Sequence, residues 1–232
     1  MPETILILGK SVSLYYLFWL LALAVTLAVA ATMAKHFGYS PYRGLTLSAV
    51  ALSLGVVAIW ALSLVFGGFN MVRGVLFYPL IDLLVALAFK ESYRKLTDFL
   101  APVAQICSGL SHLGCIFSGC CHGYPASWGI YSNHAETVCF PVQPIEAVVN
   151  VAIGIWLIVM IKRKRQQGKL MLWMMTLFGI TRFFLEFLRD NRKVWGNVSE
   201  LALFALATFL VGVAGLILVT YFDKRRCNNE KN

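Results

Sequence analysis

The sequence predicts an all-α integral membrane protein that crosses the bilayer about seven times. Three observations predict this fold class: a high apolar content, a series of long apolar runs, and basic residues collected in alternate loops. Hydrophobic residues make up 59% of the 232 residues and charged residues 13%, whereas soluble domains carry about 25% charged residues. The net charge of +9 would suit nucleic acid, but its distribution is typical of membrane topology. No nucleic-acid partner is therefore expected.

Seven runs are predominantly apolar and approach the roughly 20 residues that a membrane-spanning helix needs. They are residues 13–34, 46–67, 74–89, 97–117, 145–161, 170–188 and 200–222. The third run is short and contains Asp82, and the fourth contains Gln105 and His112. The first run is too long for the core of a signal peptide and follows the acidic Glu3, so we expect it to be retained. Residues 1–232 are treated as a single transmembrane domain.

Lysine and arginine concentrate in every second connection between these runs. Residues 35–43, 90–95, 162–169 and 224–231 hold 14 of the 20 lysines and arginines, and the connections on the other side hold 5. Because cytoplasmic loops are enriched in these residues, the pattern predicts an external N-terminus and a cytoplasmic C-terminus. Residues 118–144 would then form an external loop. Its glycines and prolines suit a segment that covers a cavity better than one that faces lipid.

The sixth run contains charged residues that a lipid-facing helix would not carry. Arg182, Glu186 and Arg189 are spaced i, i+4 and i+7, so they share one helix face. A charge within a span costs roughly 2.5–3.5 kcal/mol. These side chains therefore either form a structural ion pair or line a cavity in which arginine binds a phosphate group. We expect Arg182 to lie about seven residues, or roughly 10 Å, below the outer end of its helix.

The fifth run begins with two polar residues, Gln143 and Glu146. A helix N-terminus favours anions and carboxylates. Glu146 is therefore expected either to cap its own helix or to act in the site, where it would orient Arg182 or bind a hydroxyl group of the substrate.

Four of the six cysteines lie in or next to the predicted external loop. Because disulfides persist outside the cytoplasm, Cys120 or Cys121 could pair with Cys139 and fix the loop. The same cysteines, with His122 and His134, could bind a soft metal, or one thiol could carry an acyl group. The adjacent Cys120 and Cys121 do not match the spacing of common zinc motifs, so no metal or other cofactor is expected.

Four segments, in their order along the chain, resemble those of the bacterial prolipoprotein diacylglyceryl transferase family. Residues 73–81, RGVLFYPLI, are similar to its Gly-Gly-x-x-Phe-His-Gly-Gly-x-Ile segment. Residues 114–130 resemble its Gly-Arg-x-Gly-Asn-Phe-x-Asn-Gly-Glu-x-x-Gly signature. Residues 141–146, PVQPIE, resemble its His-Pro-Ser-Gln-Leu-Tyr-Glu segment, and residues 182–189, RFFLEFLR, resemble its Arg-Phe-x-x-Glu-x-x-Arg segment. The resemblance covers about residues 70–190.

This resemblance implies an activity, two substrates and a location. Members of the family move a diacylglyceryl group from phosphatidylglycerol, an anionic phospholipid, to the thiol of a lipobox cysteine in a preprotein, and glycerol phosphate leaves. They act in the bacterial cytoplasmic membrane, and the resemblance implies no cofactor. Arg182 falls on the family's essential C-terminal arginine. The other matching positions are Glu186, Gln143, Glu146, Gly114 and Gly123.

Four positions differ from the pattern of the family. Tyr78 stands where the family has a histidine, and His112 stands where its signature has an arginine. Cys115 and Cys120 replace an asparagine and a glutamate of the signature. We therefore predict that His112 serves as the base or, when protonated, as a phosphate ligand. The predicted catalytic residues are Arg182, His112, Glu146 and Tyr78, and the predicted substrate-binding residues are Gln143, Glu186, Gly114, Gly123, Arg189, Cys115 and Cys120.

The predicted function is transfer of a diacylglyceryl or related lipid group to a protein thiol or to another acceptor. Two other functions fit the same sequence. The replaced positions favour a lipid-binding member of the fold that has no catalytic activity. The cysteines favour a membrane thiol or metal protein built on Cys115, Cys120, Cys121 and Cys139.

Overall fold

The helices of the protein follow the apolar runs of its sequence. The computed structural model describes residues 4–7, 10–68, 70–191 and 193–229, so predictions that involve Glu3, Arg192 and Lys231 lie outside the described residues. The α-helices of the described chain are α1 (Leu14–Ala34), α2 (Pro41–Phe66), α3 (Met71–Val75), α4 (Tyr78–Phe89), α5 (Tyr93–Ser118), α6 (Val142–Lys162), α7 (Leu170–Glu186) and α8 (Glu200–Asn229). A short 3-10 turn, Lys35–Phe37, follows α1.

Among the described residues, five helical segments are long and apolar enough to cross a membrane. They are Leu14–Phe37, Pro41–Phe66, Tyr93–Ser118, Val142–Lys162 and Glu200–Asn229. The apolar α7 has 17 residues, which is slightly less than the roughly 20 residues that a span usually needs. The prediction of a mostly helical, multi-pass membrane protein is therefore confirmed. The number of seven spans and their direction remain predictions.

The predicted third span, residues 74–89, is not a single helix, because it is divided between α3 and α4. The cause is Pro79, which lies in the first turn of α4. Proline has no N–H to donate, and in a continuous helix its ring would clash with the carbonyl group four residues earlier. The 12 residues of α4 extend about 18 Å, which is well short of the roughly 30 Å of a hydrocarbon core.

The central position of α5 explains why it has the weakest hydropathy of the five spans. Within the protein, 78% of its most apolar 18-residue stretch is buried, against 17–39% of the corresponding stretch in the other four helical segments. Its polar residues are therefore shielded from lipid, and Gln105 donates a hydrogen bond of 2.8 Å to Asn150 of α6. The two helices approach closely at Gly109, where a Cβ atom would lie 2.9 Å from the backbone nitrogen of Val151. Small residues permit this approach between membrane helices.

Three short antiparallel hairpins among the described residues are an addition to the predicted all-α fold. They pair β1 (Thr4–Ile7) with β2 (Lys10–Ser13), β3 (Pro125–Ser132) with β4 (Thr137–Cys139), and β5 (Lys193–Trp195) with β6 (Val198–Ser199). The β3–β4 hairpin occupies the predicted external loop. The Ser132 hydroxyl donates to the Gly119 carbonyl after α5 at 2.8 Å, and the Tyr124 N–H donates to the Leu188 carbonyl after α7 at 3.2 Å. The hairpin is therefore held against the ends of α5 and α7.

Arg73, which the charge pattern places in an external connection, is buried and structural. Its Nε atom lies 3.0 Å from Oε1 of Glu200, and its Nη1 atom donates to the carbonyl of Gly67 at 2.7 Å. These contacts fasten α3 to the start of α8 and the end of α2, and so position the helices around the site.

Candidate active site

A polar cavity of about 140 Å³ lies among α1, α3, α5, α6, α7 and the turn that follows α5. Six of the predicted site residues line it: Arg182, His112, Glu146, Arg189, Cys115 and Cys120. The remainder of its wall consists of Tyr15, Trp19, Asn70, Met71, Val72, Ser108, Ser111, Cys121 and Phe178. Separate segments of the sequence therefore meet around one small space.

Glu146 is buried at the centre of the charged side chains in the polar cavity. Its Oε1 atom lies 3.4 Å from Nε of Arg182 and 3.3 Å from Nε2 of His112. Its Oε2 atom accepts a hydrogen bond from Nη2 of Arg189. One carboxylate therefore faces two guanidinium groups and one imidazole. Among the described residues no side-chain hydrogen bond caps the N-terminus of α6, so Glu146 does not cap its own helix, and its orienting role remains a prediction.

Arg182 is 2% exposed and also pairs with a carboxylate on its own helix. Its Nη2 atom lies 2.8 Å from Oε2 of Glu186, one turn later. Oε1 of Glu186 accepts hydrogen bonds from the Ser199 hydroxyl at 2.8 Å and from the Asn191 amide. Glu186 does not line the polar cavity, so it acts on the cavity through Arg182.

The end of α7 corrects the predicted depth of Arg182. Because the helix ends at Glu186, Arg182 lies four residues, or about 6 Å, from the helix end instead of the predicted 10 Å. The apolar run continues to Leu188, but the helix ends earlier, and Arg189 forms a β-bridge with Gly123, which precedes the β3–β4 hairpin. The side chain of Arg189 still enters the polar cavity.

The two arginines carry buried N–H groups that the protein does not satisfy. Nε and Nη1 of Arg182 and Nε of Arg189 have no hydrogen-bond acceptor among the described residues. The approach of Glu146 to Nε of Arg182 lacks the geometry of a hydrogen bond, although the two groups attract as ions. An unsatisfied buried donor costs about 1–3 kcal/mol, and more when it is charged. These donors are therefore available to a further group that accepts hydrogen bonds.

Arg189 is 1% exposed and stays charged. Burial alone would lower its pKa, but the Glu146 carboxylate outweighs burial and raises the pKa of Arg189 above its usual value. The guanidinium group therefore remains a cation at every physiological pH.

The hydrogen bonding of His112 determines which of its two ring nitrogens carries a proton in the neutral ring. Nδ1 lies 2.7 Å from the carbonyl oxygen of Ser108, one turn earlier. Because a carbonyl group only accepts, Nδ1 carries a proton, and Nε2 faces Glu146. With Nε2 unprotonated the ring is a base, and with Nε2 protonated it is a cation paired with Glu146. Both roles predicted for His112 are compatible with this geometry.

Three predicted substrate-binding residues support the fold around the cavity without lining it. A Cβ atom at Gly114 would lie 3.1 Å from the carbonyl oxygen of Tyr15, so this glycine lets α5 approach α1. A Cβ atom at Gly123 would lie 2.5 Å from a backbone oxygen of the segment before α6. The Gln143 amide donates to the Cys120 carbonyl at 3.0 Å and supports the turn after α5.

Tyr78 lines a second, apolar cavity of about 470 Å³ instead of the polar one. Pro79 redirects the chain at the start of α4, and this places Tyr78 with aliphatic side chains and away from the acid–base residues. Trp19 and Met71 line both cavities, so the two spaces adjoin. Val57, which also lines the apolar cavity, is 58% exposed. The apolar cavity therefore reaches the surface that would face lipid.

The cysteines near the end of α5 group differently from the prediction. All six cysteines are free thiols, so the predicted disulfide between Cys120 or Cys121 and Cys139 is not formed. Instead, the Sγ atoms of Cys115, Cys120 and Cys121 lie within 4.8 Å of one another, and we call these three residues the thiol cluster. Cys139 is near His122, with 3.9 Å between its Sγ atom and Nδ1 of the ring.

The turn after α5 explains this grouping. Gly119 and Cys121 both have left-handed backbone conformations, with φ of +71° and +59°, and this conformation costs a non-glycine residue roughly 1–2 kcal/mol. The turn brings Cys120 and Cys121 to Cys115 in the last part of α5. Hydrogen bonds with the Cys115 and Cys120 thiols, and the charge of Arg189, lower the pKa of Cys121 despite its burial.

Several wall residues of the polar cavity were not predicted: Tyr15, Trp19, Asn70, Met71 and Ser111. Aromatic residues in the first apolar run are ordinary for a membrane protein, since they collect at the membrane interfaces. The position of Ser111 could have been predicted from the sequence. One helix face of α5, with the spacing i, i+3, i+4, i+7, carries Ser108, Ser111, His112 and Cys115. A polar stripe on an apolar helix indicates that this face lines a protein-enclosed space.

The chain is similar to prolipoprotein diacylglyceryl transferases along most of its length. The family described as prolipoprotein diacylglyceryl transferase matches residues 2–218. Phosphatidylglycerol–prolipoprotein diacylglyceryl transferase 2 of Clostridium perfringens (strain 13 / Type A) is 28% identical over 142 residues, which cover 58% of this chain and 55% of the relative. The corresponding transferase of Geobacter sulfurreducens (strain ATCC 51573 / DSM 12127 / PCA) is 25% identical over 203 residues, 84% of this chain and 76% of the relative.

A third relative, the phosphatidylglycerol–prolipoprotein diacylglyceryl transferase of Clostridium tetani (strain Massachusetts / E88), is 24% identical over 129 residues, 51% of each chain. The chain thus spans about half the length of the two clostridial relatives. The family match, in contrast, covers nearly the whole chain and includes every residue of the polar cavity. The chain therefore belongs to the prolipoprotein diacylglyceryl transferase family.

Proposed function

We propose that this protein is a membrane transferase that moves a diacylglyceryl group from phosphatidylglycerol, or a similar anionic phospholipid, to a cysteine thiol of a lipobox-containing preprotein. The observation that carries the proposal is the pair of buried guanidinium groups, Arg182 and Arg189, in a polar cavity that adjoins an apolar one. The chain is also similar to proteins named phosphatidylglycerol–prolipoprotein diacylglyceryl transferase, and this similarity supports the same reaction.

The two adjoining cavities suit the two ends of a phospholipid. The polar cavity offers unsatisfied N–H donors of Arg182 and Arg189, and guanidinium groups bind phosphate oxygens through paired hydrogen bonds. The apolar cavity has aliphatic walls and reaches the surface at Leu23 and Val57, where a hydrocarbon chain could enter from the bilayer. A lipid would therefore place its phosphate among the charged groups and part of a chain among the apolar ones.

The reaction forms one C–S bond and breaks one C–O bond. The acceptor sulfur attacks the glyceryl carbon next to the phosphate, and the electron pair of the C–O bond stays on the phosphate, which leaves as glycerol phosphate. The thiol proton passes to a base. Negative charge grows on the phosphate as the bond breaks, so the fixed guanidinium groups of Arg182 and Arg189 stabilise the transition state more than the bound lipid.

His112 is the group in the polar cavity best placed to take the thiol proton. Its Nε2 atom is the ring nitrogen that can be unprotonated, and Glu146, 3.3 Å away, would stabilise the imidazolium that forms. A general base contributes about 10²–10⁴-fold to rate. In this scheme Arg182, Arg189 and His112 act on the substrates, and Glu146 and Glu186 are positioning residues.

His112→Ala should reduce transfer by about 100-fold or more, while phosphatidylglycerol binding stays within a few-fold of the original protein. The assay uses purified protein in phosphatidylglycerol vesicles with a lipobox peptide, and the thioether product is measured by mass spectrometry. His36→Ala is the matched control, since His36 lies in the 3-10 turn after α1 and should leave transfer unchanged. If the original protein binds the lipid but never modifies the peptide, the transferase proposal fails and a lipid-binding function replaces it.

We further propose that the protein lies in the bacterial cytoplasmic membrane with residues 118–144 outside and the C-terminus inside. The asymmetric distribution of lysine and arginine supports this direction. Reporter fusions after Lys164 and at the C-terminus should both report a cytoplasmic location, and a reporter inserted after Ala135, in the β3–β4 hairpin connection, should report an external one. A fusion after Lys164 that reads external would overturn the proposed direction.

A further inference from the structure

We propose that Cys115, Cys120 and Cys121 form a three-thiolate site for a soft divalent cation such as zinc, with its fourth coordination position open to the polar cavity. In the second half of the proposal, which rests on the proposed function, this open position binds the thiol of the acceptor cysteine and delivers it as a thiolate. The site would supply in this chain a second means of activating the acceptor thiol, in addition to the base His112.

The spacing of the three sulfur atoms is close to that of a metal site. All three Sγ atoms lie within 4.8 Å of one another. Tetrahedral zinc with bonds of about 2.3 Å separates its sulfur ligands by about 3.8 Å. Side-chain rotations that shorten each distance between sulfur atoms by up to about 1 Å would therefore complete the coordination, without movement of the helices.

The turn that carries two of the ligands is held in an unfavourable conformation. Cys121 has φ of +59°, and a non-glycine residue in this region persists only when its surroundings enforce it, often at a functional site. Here the carbonyl groups of Gly119 and Cys120 accept hydrogen bonds of 2.8 and 3.0 Å from Ser132 and Gln143. Two successive carbonyl groups before Cys121 are thus held in place, and this turn brings the adjacent Cys120 and Cys121 close to Cys115.

Residues around the thiol cluster supply a hydrogen-bond donor to one sulfur atom and positive charge near the thiolates. The Ser118 hydroxyl lies 3.0 Å from Sγ of Cys120 as a hydrogen-bond donor, and such donors orient and stabilise metal-bound sulfur. Three thiolates and one divalent cation carry a net charge of −1, and Arg182 and Arg189 line the same cavity. A soft divalent cation suits sulfur ligands better than a hard one.

The fourth position is left to a ligand from outside the chain. His112 and Glu146 line the same cavity, but among the described residues neither has a ligand atom within 4.8 Å of all three sulfur atoms. Three protein ligands with one open position are typical of catalytic zinc sites, and four are typical of structural ones. Metal coordination deprotonates a thiol outright.

The proposed chemistry is a substitution without oxidation or reduction. The acceptor thiol binds the metal and releases its proton to solvent or to His112. Its sulfur then donates an electron pair to the glyceryl carbon, the C–O bond breaks, and that electron pair leaves with the phosphate. The neutral thioether is a weaker ligand than the thiolate, so the product dissociates and the open position is restored.

Metal binding is tested first, without reference to activity. The full-length protein, purified under reducing conditions in detergent and freed of metal, is titrated with Co²⁺ and then with Zn²⁺. We expect one Co²⁺ per chain with a thiolate-to-metal charge-transfer band, and Zn²⁺ should displace it. Cys115→Ser, Cys120→Ser and Cys121→Ser each remove a direct ligand, so each should weaken Zn²⁺ binding by about 100-fold or more, at or beyond the upper end of the loss caused by removing an outer-shell partner. Cys139→Ser and Cys227→Ser should not weaken it.

Several results would overturn the metal site. They are the absence of the charge-transfer band in the reduced protein, a band that survives in the Cys120→Ser/Cys121→Ser double variant, or a disulfide within the thiol cluster in protein isolated from membranes without reductant. Because these readouts do not involve transfer, they remain valid if the proposed transferase function fails.

The role of the open position is tested by transfer to the lipobox peptide before and after metal removal. We expect the rate to fall by at least about 10-fold on removal and to recover with Zn²⁺, and the peptide thiol should alter the Co²⁺ spectrum when it binds. A metal-bound protein whose transfer rate is unchanged on removal would overturn the second half of the proposal. Absence of transfer in every form would overturn the proposed function and leave the metal site standing.

Discussion

Arg182→Lys should reduce transfer from phosphatidylglycerol by about 100-fold or more, which is the effect of losing one preorganised donor to a developing anion. Lysine keeps the positive charge that Glu146 and Glu186 require, so the fold should be retained. It loses the planar arrangement of N–H groups that binds two phosphate oxygens at once. The measurement is kcat/KM with phosphatidylglycerol vesicles and a lipobox peptide, together with lipid binding by native mass spectrometry.

The control for Arg182→Lys is the same substitution at an arginine outside the polar cavity. Arg43 pairs with Glu91 at 3.0 Å and its side chain is 41% exposed, so Arg43→Lys should leave transfer nearly unchanged. Arg182→Ala should lose lipid binding as well as transfer, because it removes the two unsatisfied N–H donors of Arg182, Nε and Nη1. Transfer by Arg182→Lys at more than half the original rate would contradict a bidentate phosphate site at this residue.

The positions of most helices could be predicted from the sequence because lipid imposes apolar side chains on any span. The run 13–34 corresponds to α1 (Leu14–Ala34) almost residue for residue. The ends are less predictable where polar residues continue a helix beyond the hydrocarbon core. Thus α2 begins at Pro41, before the predicted residue 46, and the Ser40 hydroxyl caps it by accepting the Arg43 N–H at 3.2 Å.

The charged part of the candidate site was predictable for the same physical reason. A residue such as Arg182 or Glu186 is conspicuous against an apolar background because its burial is costly. Trp19 and Met71 carry no such signal, since either side chain could face lipid. The partner of Cys120 was also not predictable, because its choice between Cys115 and Cys139 depends on the left-handed turn after α5, which the spacing of the cysteines does not specify.

Glu146→Gln should lower the free energy of unfolding by about 3–5 kcal/mol, the range observed when one partner of a buried ion pair is removed. Glu146 is 2% exposed, and its carboxylate faces Arg182, Arg189 and His112. Glutamine keeps the shape of the side chain but loses the charge, and its NH2 group would face the donors of a guanidinium group. Thermal unfolding in detergent measures the effect, and Glu91→Gln, whose partner Arg43 is partly exposed, should cost about 1 kcal/mol or less.

A second substitution tests whether charge balance is the cause of this loss. If Glu146 compensates the two guanidinium groups, its removal leaves, among the described residues, Glu186 as the one buried carboxylate paired with either of them, through Arg182. The double variant Glu146→Gln/Arg189→Gln restores a one-to-one pairing between Arg182 and Glu186, which lie 2.8 Å apart. The double variant should therefore be more stable than the sum of the single effects predicts, with a coupling of about 1–3 kcal/mol. Strictly additive losses would mean that Glu146 acts by shape and hydrogen bonding, and that the buried cations of the polar cavity do not depend on its charge.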